Sequence, residues 1–376
     1  MLTMFFRTFI VVVLVVFTGL GAIAQQKACF SAEARALAER TTRVWVSPGG
    51  YDPVLGYDPA VGARVGALPI DENGRALPIK CVANRDDSPG KGTTPKFHCS
   101  IEGVTEKDGD LVRYKVKPHF KGQSREKRNG EVYGEFLASR FSRAVGFFAD
   151  DEWVADVTCP DCEKSLTKKF QGSPWNPFQP AAGIELSLGK GIDVNCNDKD
   201  SAPLDRSLTG LAQGGVSRAE IDAFKLWLAF IDHGDTKTDN HKFACLDRKK
   251  NTDTYSCAQG MAVFYVSDMG STFGHSRDSE NKARLGAWKK RGDPIRSSGD
   301  RCTTTAKGVG DTSISESGRA LLATQLQRLI DAEKSGGTIT KVFAASRNAE
   351  RDQSPEAWTA EFIKKAQSII NARCSN

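Results

Sequence analysis

Residues 233–240 read His-Gly-Asp-Thr-Lys-Thr-Asp-Asn, and residues 262–271 read Ala-Val-Phe-Tyr-Val-Ser-Asp-Met-Gly-Ser. Ahead of the octet, Ser217-Arg-Ala-Glu220 is a capping box, and Ile221, Phe224, Trp227, Leu228 and Ile231 recur at helical spacing. The pattern predicts a helix that hands the chain directly to His233. The apolar run at 262–266 predicts a buried strand with Asp268 at its tip and Gly270 letting the chain swing away. A loop of the octet's length, between that helix and a strand at 242–246, can aim Asp235 and Asn240 at one metal-phosphate cluster.

These residue types suit phosphoryl transfer. A phosphoryl group in flight carries spread negative charge, so its catalyst needs a carboxylate to orient the accepting hydroxyl and oxygen ligands for magnesium. Asp235 is the candidate base, Asn240 and Asp268 the metal ligands, and Lys237 the cation beside the transferred phosphate, with His233 bracing the loop. A polar turn after a helix would use the same residues for structural ends. A metallophosphoesterase built on His233, Asp235, Asn240 and His241 is the other metal-based reading, but such sites need more histidines than the five present.

The first half should then offer a lysine on a strand and a glutamate on the next helix. Strands are expected at 79–83, 96–101 and 111–116, separated by Gly-rich and Asp-rich turns, as an antiparallel meander. In the third, Val112, Tyr114 and Val116 alternate with Arg113, Lys115 and Lys117, giving one apolar and one cationic face. A helix is expected at 130–145, with Val132, Phe136, Leu137, Phe141 and Val145 as its apolar stripe. Lys117 and Glu135 stand in the required order, with Lys115 and Glu131 as their understudies. Further strands are expected at 152–157 and 184–188, and further helices at 31–42, 316–334 and 354–372.

The set Lys117, Glu135, His233-x-Asp235-x-Lys237-x-x-Asn240 and Asp268-Met-Gly resembles the protein-kinase-like superfamily. The helix around Gly134-Glu135-Phe-Leu-Ala-Ser-Arg-Phe resembles its atypical HipA-like and phosphoinositide-kinase-like branches more than ordinary eukaryotic protein kinases, and the segments 92–99, 114–117 and 157–162 are similar to uncharacterised exported bacterial proteins. The resemblance spans about residues 79–300. It implies an α+β, two-lobed fold: an antiparallel sheet plus one helix, then a mostly helical lobe, with ATP and magnesium between. By it, Lys117 meets the nucleotide phosphates, Glu135 holds Lys117, Asp235 is the base, and Asn240 and Asp268 hold metal. The sequence also departs from the pattern. Gly234 stands where arginine is usual, no Ala-Pro-Glu element occurs, and no G-x-G-x-x-G precedes Lys117, Gly90, Gly92 and Thr93 being the nearest phosphate-covering turn. The long gap from Asn240 to Asp268 is assigned to a Cys245, Cys257 hairpin. A binding module that keeps this fold without turnover is the alternative from a different class.

The chain has 376 residues, enough for two lobes. Residues 1–24 read as a signal peptide: Arg7, an apolar run, then Ala22-Ile-Ala24. The expected organisation continues with an extension at 25–78, a strand-rich lobe with its connection at 79–203, and a helical lobe at 204–376. All ten cysteines follow the proposed cleavage site, as expected of an exported, disulfide-bonded protein with no lasting membrane span. Cys81 with Cys99 could close a hairpin, and Cys159-Pro-Asp-Cys162 reads as a structural disulfide, a redox pair, or a zinc site with Cys196. The net charge of +6 is too small to argue for nucleic acid. Basic residues gather at 113–128 and 282–296, and the second cluster favours an acidic acceptor.

Overall fold

The computed structural model describes residues 41–83, 94, 96–105, 111–119, 128–159, 162, 182–188, 190–192, 204–237, 240–246, 249–250, 255–256, 262–276 and 278–375. The proposed signal peptide, residues 31–40 of the proposed first helix, Gly92, Cys196 and Cys257 lie outside them.

The chain is α+β, with a strand-rich N-terminal part and a mostly helical C-terminal part. The meander is present as β1 (Ile79–Ala83), β2 (Phe97–Ile101) and β3 (Tyr114–Lys117). After helix α1 (Glu131–Ala144) come β4 (Asp151–Ala155), β5 (Val157–Thr158) and β6 (Ala182–Leu186). These strands form one sheet in the order β4-β6-β3-β2-β1-β5, antiparallel except where β1 meets β5.

The two faces of that sheet differ sharply. Tyr114, Val116, Phe97, Cys99 and Ile184 pack into an apolar cluster on one side. The other face carries Lys115, Lys117, Glu185 and Glu152, and α1 lies over it. α1 therefore meets the sheet through charge and through Val132, which packs on Gly183 of β6, and turns Phe141 away, where its ring lies tilted against Phe273, Phe343 and Phe362 of the helical part. The cationic side of β3 is thus an interior layer, not a solvated one.

The helical part begins with α2 (Leu204–Gln213) and α3 (Arg218–Phe230). Ser217 and Glu220 form the expected reciprocal cap of α3, which stabilises such a helix start by about 1 kcal/mol. Strands β7 (Lys190–Ile192), β8 (His241–Cys245) and β11 (Ala262–Val266) make a second sheet, and the short β9 (Lys249–Lys250) and β10 (Tyr255–Ser256) form a hairpin between β8 and β11. Beyond it lie α4 (Leu285–Lys290), a small sheet of β12 (Ile295–Ser298), β13 (Arg301–Thr304) and β14 (Ser313–Ile314), then α5 (Glu316–Gly336), α6 (Thr338–Ala345) and α7 (Pro355–Asn371). α2, α4, α6 and the small sheet were not expected from the sequence.

The segment 41–78 is built into both parts: the Trp45 indole donates to the Val145 carbonyl at 2.8 Å, Arg43 bridges to Val263, and Leu68 joins the apolar cluster of the first sheet. Disulfides join Cys81 to Cys99, Cys159 to Cys162 and Cys302 to Cys374, and Cys245 is also disulfide-bonded. Bonded to each other, Cys159 and Cys162 have no thiolates to offer zinc. These bonds fit a compartment outside the cytoplasm. Among the described residues, no helix is long and apolar enough to cross a membrane.

Candidate active site

Lys117 ends β3 and is 3% exposed. Its ammonium group pairs with Glu135 of α1 and lies 3.7 Å from Glu131 Oε2 and 3.8 Å from Asp268 Oδ1. Groups separated by up to 151 residues of chain thus converge on one nitrogen. Burial opposes a charge on Lys117, but Glu135, Asp268 and Glu131 outweigh it and hold the ammonium well above its ordinary pKa. In return, Lys117 holds the Asp268 carboxyl far below its usual range, against the pull of burial.

α1 and the Asp268 turn approach closely because both carry glycine where they touch. A Cβ on Gly134 would lie 3.0 Å from the Gly270 carbonyl oxygen, and one on Gly270 would lie 2.9 Å from the Glu131 Cβ. The Thr272 hydroxyl lies 2.8 Å from the Met269 carbonyl oxygen and 3.1 Å from that of Gly134, its one proton shared between the turn and α1. Asp268 itself accepts from the Gly270 N–H at 3.4 Å, and its side chain stays 44% exposed, open to a ligand.

The loop at 233–237 reaches this turn from α3. Asp232, at φ 51°, turns the chain, and the Gly234 N–H donates to the Ser271 carbonyl at 3.0 Å. Pairing of Val266 with His241 brings Asn240 opposite Ser267, whose N–H donates to the Asn240 carbonyl at 2.7 Å. Asn240 therefore sits beside Asp268 by register. Its side-chain amide nitrogen donates to the Asp235 carbonyl at 3.0 Å, which leaves the side-chain oxygen for ligand chemistry. Asp235 is part-exposed and bonds Lys237 at 2.9 Å, while Lys237 is 74% exposed and feels Asp268 as well. His233 is buried, neither ring nitrogen has a hydrogen-bond partner, and burial lowers its pKa to about 4. It is neutral at ordinary pH and packs as a brace.

Of the expected residues, Lys117, Glu135, Asp268, Asn240, Asp235, Lys237 and His233 thus form one constellation. Lys115 pairs instead with Glu185, its cross-strand neighbour on β6, in the layer directly beside Glu135. Gly92 lies outside the described residues.

Three site residues were missed in the sequence. Pairing of Phe97 with Val116 sets Lys96 across from Lys117 on the same face, and Lys96 is depressed by burial and by Lys117. Lys282 donates to Glu131 at 2.6 Å, and Thr94 donates to the other Glu131 oxygen at 2.8 Å. Sequence separation hid all three; only the strand register, which the alternation of β2 did not fix, would have exposed Lys96.

The carboxylates Glu135, Glu152 and Glu185 have ligand oxygens within 4.8 Å of one another. Lys117 and Lys115 already pair with two of them, and burial beside Glu135 pushes Glu152 well above its ordinary pKa. With Lys115 and Lys117 the trio forms a buried ionic layer beside the Lys117 cluster. Burial also raises Glu135, against the pull of Lys117. A cavity of about 510 Å³ lies elsewhere, between Tyr57, Leu68 and Trp153.

A scan against protein-family models finds no match, and a search of curated proteins finds none. Among solved structures, the chain is similar to CtkA, a proinflammatory kinase of Helicobacter pylori, at 12% identity and a TM-score of 0.41, over 78% of this chain and 98% of that one.

Proposed function

We propose that the chain is an exported kinase-like phosphotransferase that moves the γ-phosphoryl group of ATP to a hydroxyl acceptor. The observation that carries this reading is the convergence of Glu135, Asp268 and Glu131 on Lys117, with the 233–240 loop tied to the Asp268 turn. Lys117, with Lys96 beside it, meets the nucleotide phosphates, and Glu135 orients Lys117. Asp268 and Asn240 have the donor set magnesium prefers, a carboxylate and an amide oxygen with room for phosphate oxygens. Magnesium bound there supplies positive charge against the β- and γ-phosphates. Asp235 accepts the acceptor's proton as its oxygen bonds to phosphorus and the bridge to the β-phosphate breaks, and Lys237 offsets charge on the transferred group.

The basic stretch at 282–296 bears on the acceptor only in part. Lys282, Arg284 and Arg291 are engaged by Glu131, Asp352 and Asp232, whereas Lys289, Lys290 and Arg296 are exposed. An acidic acceptor would be met by those three. The disulfides support export.

Magnesium-dependent ATP consumption by the purified, disulfide-intact chain tests the proposal, repeated with Asp268→Ala and Lys117→Met. Turnover lost in both variants supports it; wild-type nucleotide binding without turnover leaves a binding module. Absence of nucleotide binding would sink both readings.

A further inference from the structure

A second charged cluster lies away from Asp268, where β3 leaves the sheet and α1 begins. His119, Arg128, Asn129 and Arg351 are each no more than 6% exposed. They surround the Tyr133 ring: the His119 ring stacks at 6.0 Å and the Arg351 guanidinium sits 5.1 Å from its centre. Arg347 joins from the turn before Asn348–Glu350.

The acceptors there are already used. Glu350 takes Arg128 at 3.0 Å and Arg347 at 2.6 Å, and Asp156 takes Arg347 at 2.8 Å. Asn129 Oδ1 accepts from the Glu131 N–H at 3.0 Å. Among the described residues, Arg351 has no carboxylate on it and is held by the carbonyls of Arg128, Glu280, Lys282 and Ala283 and by Asn348 Oδ1. Three buried nitrogens are left with no hydrogen-bond partner: His119 Nδ1, Arg128 Nε and Asn129 Nδ2.

Buried polar atoms without partners are costly: Arg128 Nε and Asn129 Nδ2 are donors that lack an acceptor, and His119 Nδ1 joins them in the tautomer whose Nε2 accepts from the Tyr133 hydroxyl at 3.5 Å. Their setting adds to it, since α1 starts at Glu131, where Asn129 Oδ1 takes the first N–H and Gly130 offers no side chain to the next ones, and a helix start favours negative charge. We propose that His119, Arg128 and Asn129 bind a phosphate-type oxyanion, inorganic phosphate or the phosphate monoester of a modified side chain, at the seam between the start of α1 and the 347–351 turn. A tetrahedral anion offers one oxygen to each donor, with Arg351 and Arg347 supplying further positive charge. Burial and these arginines now depress the His119 ring to about 3, and a bound dianion reverses the sign of that field. Because Glu131 and Glu135 lie on the same helix, occupancy also stiffens the element that holds Lys117.

The test uses the whole disulfide-intact chain without nucleotide, titrated with inorganic phosphate at constant ionic strength and followed by calorimetry and histidine ring resonances. The expected result is saturable binding at a single site with a Kd of about 1 mM or tighter. The His119 signals, identified by their loss in His119→Gln, move, and their titration midpoint rises. Asn129→Asp keeps the oxygen that accepts from Glu131 but adds a negative charge, so it weakens binding about tenfold or more without lowering the melting temperature. Lys117→Met leaves binding intact, which separates this site from the proposed nucleotide site. O-phosphoserine binding tighter than inorganic phosphate identifies a modified side chain as the source; the reverse order identifies the free ion. Absence of saturable binding, or binding lost in Lys117→Met and kept in Asn129→Asp, overturns the proposal.

Discussion

Replacing Gly134 with alanine pits a gain in helix propensity against a steric clash, and the structure decides the sign. Inside a helix, the change from glycine is worth about 1 kcal/mol in favour of alanine. The new Cβ meets the Gly270 carbonyl oxygen at 3.0 Å and Thr272 Oγ1 at 3.2 Å. Both neighbours are poor at yielding, since one is backbone and the other is a hydroxyl held between the Met269 and Gly134 carbonyls. Overpacking of this kind costs about 1–3 kcal/mol, and loss of the Thr272 bond about 1 more. The net expectation is a destabilisation of about 1–3 kcal/mol, with the Asp268 turn pushed off Lys117. Gly210 in α2 is the control, because nothing lies within 4 Å of its added Cβ. There alanine should stabilise by about 0.5–1 kcal/mol. Thermal melts of the two variants check the pair of signs. If Gly134→Ala is as stable as Gly210→Ala, the close approach of α1 and the Asp268 turn is wrong.

His233→Phe should be near neutral in stability at pH 7, since the ring makes no hydrogen bond to lose. The folded imidazole titrates at about 4 against 6.5 unfolded. Its neutral form is therefore favoured by folding, and that stabilisation is intact above pH 6.5 and lost as pH falls toward 4. Denaturation at pH 4.5 should find His233→Phe more stable than wild type by up to about 3 kcal/mol; parallel pH profiles would refute the burial argument. Replacing both Cys302 and Cys374 with serine frees a loop whose ends are 72 residues apart and should cost about 2–4 kcal/mol in denaturation midpoint analysis. Ser217→Ala removes the cap of α3 and should cost about 1 kcal/mol, read as a lower melting temperature.

The elements legible in the sequence were those with strong local signals. β1 and β11 fall where the apolar runs lie, and α3, α5 and α7 begin at their serine caps. α6 was not legible because Thr338, Ile339, Thr340 and Val342 are β-branched and weak helix formers. It is helical because Ile339, Val342 and Phe343 are buried, a tertiary effect. The site was legible as an order of residue types, and Lys117 with Glu135 was distinguished from its understudy Lys115 only by register: Lys115 faces Glu185 across β6, whereas Lys117 faces Gly183, which leaves its ammonium free to reach α1. The cluster around Tyr133 was not legible at all, since His119 and Arg351 are brought together by the packing of two distant turns.

Gly234, the departure from the kinase pattern that the sequence left unexplained, has a physical reason. A Cβ at that position would lie 2.1–2.4 Å from ring atoms of His275, so the histidine occupies the space where a side chain would begin. The same histidine donates its N–H to Asp232 at 2.9 Å, and Arg291 binds that carboxylate at 3.1 Å. Phe273 extends the contact by donating its N–H to the Ile231 carbonyl at 2.6 Å. The loop bearing Asp235 and the segment beyond Asp268 are therefore fastened by neutral packing and one internal carboxylate. An arginine at 234 would displace the His275 ring and carry a charge that this fastening does not use. The contacts that hold residues 233–235 against 271–275 thus all lie inside the chain, and a side chain at 234 has no space among them.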